Sequence, residues 1–256
     1  MKTKKILTVP TLIFLLSILV FATSDNLKEI ISKADYLDDQ KLYQEELKIL
    51  KKAHDSYKDS PEILWRLARA HFNIADQNSD DLDLQKENLY PGFEYAKKCI
   101  EIDKNSAGGH KYYAILIGRI GEIEGTKQKI TNSYAVKEHA LIAIKLDPTD
   151  DANYHLMGRW HYALSDLSWI ERQIATVVYG KLPKASFEEA EFFFKKAHEL
   201  APDDPRHLLW LGKTQLKLGK KEEAKKAFEM ITKIKPKSDS EKRSIKEASE
   251  LLKKIR

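Results

Sequence analysis

Few side chains in this sequence combine the residue types and the spacing that chemistry requires. The single cysteine, Cys99, stands where the surrounding helical pattern places alanine, which favours a buried small side chain over a nucleophile. His155 and His161 are six residues apart, a spacing that does not require them to share a helical face as metal ligands. We therefore predict neither a nucleophilic centre nor a metal site at these positions.

Motifs that would identify an enzyme are also missing. The chain has no phosphate-binding glycine loop, no nucleophile elbow and no His-Glu-x-x-His sequence. The acidic segment 80–83 lacks the glycine and the final glutamate of a calcium-binding loop. Glu191–Phe193 partly matches an acidic two-phenylalanine motif that binds an endoplasmic-reticulum receptor, but Phe194 and Lys195 replace the expected Asp and Ala. The sequence thus predicts a protein without catalytic residues, metal or cofactor.

Composition points to a helical protein with a real core. Of 256 residues, 42% are hydrophobic and 32% charged, which excludes wholesale disorder. Only 10 glycines and 8 prolines are present, which disfavours a turn-rich β architecture, and one cysteine excludes an internal disulfide. Function therefore has to come from surfaces that bind partners.

The N-terminus carries a membrane-targeting pattern. A basic start, MKTKK, precedes an apolar run over residues 6–22, and the run ends on a small residue, Ala22. These features fit a cleaved signal peptide or an uncleaved membrane anchor, and residues 1–25 leave both open. We expect membrane association or export through residues 6–22.

The rest of the chain is a tandem array of helical hairpins. Residues 205–238 show the spacing of a 34-residue tetratricopeptide repeat, with Gly212, Gly219, Ala224, Phe228 and Pro236 at the characteristic places. The same frame tiles the chain backwards with growing insertions, giving five repeats and a capping helix: 27–60, 61–106, 107–150, 151–204, 205–238 and 239–256. We predict an all-α, tetratricopeptide-like, right-handed superhelix of five helix pairs plus a C-terminal capping helix, forming one domain over 27–256.

Longer strings resemble one known family. Residues 64–70 read LWRLARA, residues 155–162 read HLMGRWHY, and residues 167–175 and 181–190 read LSWIERQIA and KLPKASFEEA. Together they resemble the regulators of microtubule dynamics. The resemblance implies a helical interaction protein in the cytoplasm, at microtubules, the spindle or an organelle surface, with protein partners such as tubulin.

Two basic surfaces are candidate binding sites. The first helix of each pair lines a solenoid's concave side, and counting along the repeats places seven cations there, which predicts an acidic peptide or anionic head group as ligand: Arg69, Lys111, Arg119, Arg159, Arg206, Lys213 and Lys217. Residues 213–256 hold 15 basic and 7 acidic residues, whereas the rest of the chain has a net charge of −3. We name as the basic end Lys220, Lys221, Lys225, Lys226, Lys242, Arg243 and Lys246. Nucleic acid, anionic lipid and acidic protein all fit such charge; we expect protein partners and no nucleic acid.

The insertion of the fourth repeat is a third candidate. Apolar residues at 167, 170, 174, 177 and 178 predict an additional helix that a tetratricopeptide unit does not need. This helix either extends the core or forms a ridge that presents Trp169 or Tyr179 to a partner. Two other functions stay open: a membrane-tethered or exported adaptor, and a lipid contact-site protein with no role at microtubules.

Overall fold

The computed structural model describes residues 26–179 and 182–255, without the side chains of Ile174, Val178 and Tyr179. These residues form helices and no strand, which confirms the all-α prediction. The helices are α1 (26–39), α2 (Tyr43–Ser56), α3 (Pro61–Gln77), α4 (Leu82–Ile102), α5 (Ala107–Glu124), α6 (Thr126–Leu146), α7 (Asp151–Ser165), α8 (Trp169–Tyr179), α9 (Phe187–Leu200), α10 (Pro205–Lys217), α11 (Lys221–Ile231) and α12 (Asp239–Ile255).

Local sequence signals set where the helices begin and turn. Asp150 and Asp204 precede α7 and α10, and each side chain accepts a hydrogen bond from a backbone amide of the first turn. Such caps satisfy amide groups that have no partner within the helix. Gly219 has a φ of 73° between α10 and α11, a backbone conformation that glycine adopts without strain.

The helices pack as antiparallel pairs in chain order. α3 packs on α4, α5 on α6, α7 on α9 and α10 on α11, while α8 is the additional helix of the fourth pair. Together with α1 and α2 they make the five predicted pairs. The capping helix α12 buries Ala248 and Leu252 in the core of the last pair, which closes the apolar end of the array.

Small residues allow close contact within the pairs. A Cβ atom on Gly158 would lie 2.6 Å from the ring of Phe194, and one on Gly212 would lie 2.5 Å from the ring of Phe228. Both rings are fully buried, so the glycines provide the space that the phenylalanines fill.

The superhelix curls far enough for its C-terminal capping helix to reach the second helix pair. Arg243 of α12 donates a hydrogen bond of 3.2 Å to the backbone carbonyl of Asp76 in α3. α12 therefore contacts both the last helix pair and the second, and it borders the concave side.

None of the helices within residues 26–179 and 182–255 combines the length and apolar character that crossing a membrane requires. The predicted signal or anchor at residues 6–22 lies outside the described residues.

Candidate interaction site in the concave cavity

A cavity of about 660 Å³ occupies the concave side of the superhelix. Side chains of α3, α5, α7, α10 and the N-terminal half of α12 line it, so the first helix of most pairs faces inward. Aromatic rings form much of the apolar wall: Phe72, Tyr112, Trp160 and Trp210. A concave, partly open space of this size with mixed polar and apolar walls is the form of a ligand-binding site.

The seven predicted groove cations fall in different places. Lys111, Arg119, Arg159 and Arg206 line the cavity. Lys213 is not among the lining residues; its Nζ is 4.1 Å from the centre of the ring of Trp210, which is one of them. The remaining two, Arg69 and Lys217, are also not among the lining residues, and each is held by a carboxylate.

Every one of these seven cations is paired with a carboxylate. The N–O distances are Arg69–Glu46 2.7 Å, Lys111–Asp150 2.5 Å, Arg119–Glu122 3.1 Å, Arg159–Glu122 3.3 Å, Arg206–Asp204 2.5 Å, Lys213–Glu247 2.8 Å and Lys217–Asp166 2.5 Å. The cavity wall also includes the acidic residues Asp38, Asp76, Glu122, Asp239, Glu241 and Glu247. Its charge is therefore nearly balanced, and an acidic ligand would have to compete with carboxylates that are already in place.

The cation of the second pair is part of a buried network. Arg69 lies 2.7 Å from Glu46, 2.9 Å from Asp35 and 3.7 Å from Asp38. Glu46 is completely buried, and burial raises the pKa of its carboxyl to about 7 despite the neighbouring guanidinium. The network joins α1, α2 and α3 and holds the first pair against the second.

The basic end is divided by its contacts. Lys220 pairs with Glu191 at 2.5 Å, Lys242 pairs with Asp239 at 2.7 Å, and Arg243 turns into the cavity wall. The other members remain on the surface of α11 and α12, with no ion pair among the described residues; we call them the outer lysines: Lys221, Lys225, Lys226 and Lys246.

The additional helix predicted in the fourth repeat is present as α8. Trp169 begins this helix and is 73% exposed. Tyr179 ends it, and the side chain of Tyr179 lies outside the described part of the structure.

Cys99, His155 and His161, the residues considered first for chemistry, are packed against other side chains of the fold. Cys99 is fully buried, and burial raises the pKa of its thiol, which disfavours the nucleophilic thiolate. His161 stacks on Phe193, whereas His155 lies 2.9 Å from His207, with Nδ1 facing Nδ1. His155 and His161, six residues apart in the sequence, thus have different neighbours.

Sequence reasoning missed the cluster around His207. Asp151, Asp204 and His207 offer ligand atoms within 4.8 Å of one another. In the sequence, Asp151 precedes Asp204 by 53 positions and His207 by 56. His207 is fully buried and its Nε2 donates to Asp151 at 2.8 Å, while Asp204 is held by Arg206. These hydrogen bonds give the cluster a structural role in joining α7 to α10.

The partial two-phenylalanine motif has its acid turned inward. Glu191 is only 6% exposed and contacts both Lys195 and Lys220, at 2.9 and 2.5 Å. Phe192 is exposed, so a receptor that reads an acid beside the rings would meet only the aromatic part of the motif.

Buried histidines make the stability of the fold sensitive to acid. Burial lowers the pKa of His71 and of His161 to about 4. Below the ordinary histidine pKa of about 6.5 the unfolded chain binds protons that the fold excludes, so each residue removes about 2 kcal/mol from the free energy of unfolding at pH 5. Glu46 opposes this trend, because its raised pKa favours the fold as pH drops from 7 towards 4.5.

We therefore expect the free energy of unfolding, measured with urea, to decrease from pH 7 to pH 5. The decrease should become larger in the Glu46→Gln variant, which lacks the opposing carboxyl. A stability that rises between pH 7 and pH 5 in the unchanged chain would contradict the assignment of neutral buried histidines.

Comparison with known proteins identifies the relatives of this chain. A family model described as "Regulator of microtubule dynamics protein 1-3" matches residues 30–256. The regulator of microtubule dynamics protein 1 of Mus musculus is 41% identical over 209 residues, which are 79% of this chain and 66% of that protein. The regulator of microtubule dynamics protein 2 of Homo sapiens is 33% identical over 178 residues, 69% of this chain and 43% of that protein. The chain spans just under two thirds of the mouse relative's length.

Solved structures support the fold. A thermophilic TPR protein of Thermus thermophilus superposes with a TM-score of 0.63 at 16% identity, covering 87% of this chain and 98% of that one. PilF of Pseudomonas aeruginosa superposes with a TM-score of 0.54 at 12% identity, covering 89% of this chain and 90% of that one. At such identities the likeness shows the tetratricopeptide architecture alone.

Proposed function

Because this chain belongs to the regulator of microtubule dynamics protein 1-3 family, we propose that it binds microtubules and that the outer lysines make the contact. As a tetratricopeptide-like member of that family, it is a protein-interaction scaffold. We further propose that residues 27–256 act as one domain, located at microtubules, the spindle or an organelle surface.

The observation that carries the proposal is that the outer lysines have no ion pair among the described residues. The seven groove cations are each paired with a carboxylate, so they offer an acidic partner little net attraction. Lys221, Lys226 and Lys246 are exposed on α11 and α12, within a segment of net charge +8. Acidic tubulin tails would meet that surface without displacing any internal ion pair.

Co-sedimentation of the full chain with microtubules tests this proposal. We expect binding at low salt that weakens as salt is added, because the Debye length is only about 8 Å at physiological ionic strength. Replacing the outer lysines with glutamine should reduce the bound fraction several-fold, and removing the acidic tails of tubulin should have the same effect.

A matched control removes the same charge from the other end of the superhelix. Lys33, Lys48, Lys51 and Lys52 are exposed on α1 and α2, and their replacement with glutamine should leave binding nearly unchanged. Equal losses in the two quadruple variants would show that only total charge matters, and unchanged binding in both would assign the contact to another surface.

A second candidate function rests on the cavity. Its volume of about 660 Å³ and its aromatic wall also suit the adaptor and lipid contact-site alternatives, in which no microtubule is bound. Protease protection of the full chain in intact organelles or cells separates these alternatives. If the helical domain 27–256 lies on the side of the membrane away from the cytoplasm, a role at microtubules is excluded and an exported adaptor is favoured.

A further inference from the structure

Two histidines on neighbouring helices meet at the wall of the concave cavity. Nδ1 of His155 in α7 lies 2.9 Å from Nδ1 of His207 in α10, and His155 lines the cavity. A contact of this length between two ring nitrogens requires that one nitrogen carries a proton and the other a lone pair. The next hydrogen bond in the chain determines which nitrogen is the donor.

Asp151 sets the tautomer of His207. Its carboxylate lies 2.8 Å from Nε2 of His207 and can only accept, so Nε2 carries the proton. A neutral His207 then accepts at Nδ1, which makes Nδ1 of His155 the donor. His207 is fully buried, which favours the neutral form. The second carboxylate near His207, that of Asp204 at 3.8 Å, is already paired with Arg206.

The other ring nitrogen of His155 is an open acceptor. Burial lowers the pKa of His155 well below the ordinary histidine value, and the cations Arg206 and Arg159 add to this effect. The imidazole is therefore neutral, and with Nδ1 protonated its Nε2 keeps a lone pair. Nε2 has no hydrogen-bond partner within residues 26–179 and 182–255, and it is not one of the unpaired polar atoms sealed inside the fold. The lone pair is thus accessible from the cavity that His155 lines.

Aromatic and aliphatic side chains surround this acceptor. The ring of Phe194 packs edge-on against His155 with centroids 5.4 Å apart, and it stacks on Trp210 at 6.2 Å. Leu209 and Trp210 line the cavity, and the guanidinium of Arg159 lies 4.0 Å from the centre of the Trp210 ring. A ligand at this place has to bring a donor for Nε2 and an apolar body for the wall. Phenol and indole groups combine the two.

We propose that the cavity binds a phenol or indole group, which donates its O–H or N–H to Nε2 of His155 and packs its ring against Trp210. The group belongs either to a small molecule or to a tyrosine or tryptophan side chain of a peptide. This proposal gives a ligand chemistry to the cavity of the second candidate function. It is independent of the outer lysines, so failure of ring binding and failure of microtubule binding are separate results.

Histidine NMR of the full chain at pH 8, above the ordinary histidine pKa, tests the hydrogen-bond chain. Two-bond ¹H–¹⁵N correlations identify the protonated ring nitrogen, and we expect Nδ1 for His155 and Nε2 for His207. Asp151→Ala removes the carboxylate that fixes His207, so it should lower the Nδ1-protonated fraction of His155 and leave His139 unchanged. Protonation of His155 mainly on Nε2 in the unchanged chain would overturn the proposal.

Ligand binding is measured with two probes that differ only in the donor. 4-Methylphenol carries an O–H, whereas in 4-methylanisole a methyl group replaces that proton. In calorimetry we expect the full chain to bind the phenol about fivefold to tenfold more tightly, the effect of one hydrogen bond. His155→Phe should abolish this difference. His161→Phe is the matched control and should retain it, because His161 is on the same helix but stacks on Phe193 and is not a lining residue.

The peptide acetyl-Gly-Gly-Tyr-Gly-Gly-amide distinguishes the two sources of the ring. Tighter binding of this peptide than of 4-methylphenol assigns the group to a protein partner, and the reverse assigns it to a small molecule. Equal affinity for the phenol and the anisole, or no binding of any probe, would contradict the proposal even if His155→Phe failed to fold. A folded His155→Phe variant that still preferred the phenol would do the same, with circular dichroism as the check of folding.

Discussion

Replacing Arg69 with methionine is expected to lower the free energy of unfolding by about 3–5 kcal/mol, the cost of removing one partner from a buried ion pair. Arg69 is only 8% exposed, and it contacts three carboxylates from two neighbouring helices. Without it, the completely buried Glu46 keeps no cation among the contacts described for it. The measurement is urea unfolding at pH 7, followed by circular dichroism.

The pH dependence gives this prediction a second arm. Glu46 has a pKa of about 7 in the fold, and burial also raises the pKa of Asp38. Loss of Arg69 should raise both pKa values further, so protonation of the two carboxylates should reduce the destabilisation of the variant as the pH falls. The difference in stability between the unchanged chain and Arg69→Met should therefore shrink from pH 7 to pH 5.

An exposed ion pair serves as the control for Arg69. Lys98 lies 2.8 Å from Asp59, and both side chains are in contact with solvent. Lys98→Met should leave the unfolding midpoint unchanged, because water screens such pairs. If Arg69→Met behaved like Lys98→Met, the buried network would contribute nothing to the stability of the first two helix pairs.

Replacing Gly212 with leucine is expected to cost about 1–3 kcal/mol or more, because the new side chain would be forced into the ring of Phe228. Even a Cβ atom would lie 2.5 Å from that ring, and Phe228 is fully buried. The expected observation is a lower melting temperature in calorimetry with the helical content retained. Combining Gly212→Ala with Phe228→Leu should recover part of the stability lost by Gly212→Ala alone.

A glycine in an open position provides the contrast. A Cβ atom on Gly118 would meet only Val136, at an ordinary contact distance of 3.5 Å. Gly118→Ala should therefore leave the fold as stable or stabilise it by about 0.5–1 kcal/mol, because alanine favours a helix. Equal destabilisation at 118 and 212 would mean that steric contact with Phe228 is not the reason for glycine at 212.

Local signals made the helix pairs predictable. The spacing of Gly212, Phe228 and Pro236 identified a tetratricopeptide unit, and caps such as Asp150 and Asp204 mark helix starts. These signals work at short range, since a cap acts on amides two or three residues away and helical periodicity needs only one or two turns. The insertion helix α8 was predictable for the same reason.

The candidate site was only partly predictable. Counting along the repeats placed Lys111, Arg119, Arg159 and Arg206 towards the concave side, where they line the cavity. The same count could not show their carboxylate partners. Lys111 pairs with Asp150 across 39 residues, and Arg159 pairs with Glu122 across 37. Net charge per segment is a property of sequence, whereas free charge depends on what the neighbouring pair brings within contact.

The sequence by itself thus determined the helical class, the repeat frame, the small residues at helix contacts and the basic C-terminal segment. Tertiary structure decided which lysines remain unpaired, which face of α8 points to solvent, and how α12 comes to line the concave cavity. Arg243 reaches Asp76 across 167 positions because small rotations between successive helix pairs accumulate along the superhelix. No local sequence pattern encodes this accumulated rotation, because it depends on how every interface between helix pairs packs.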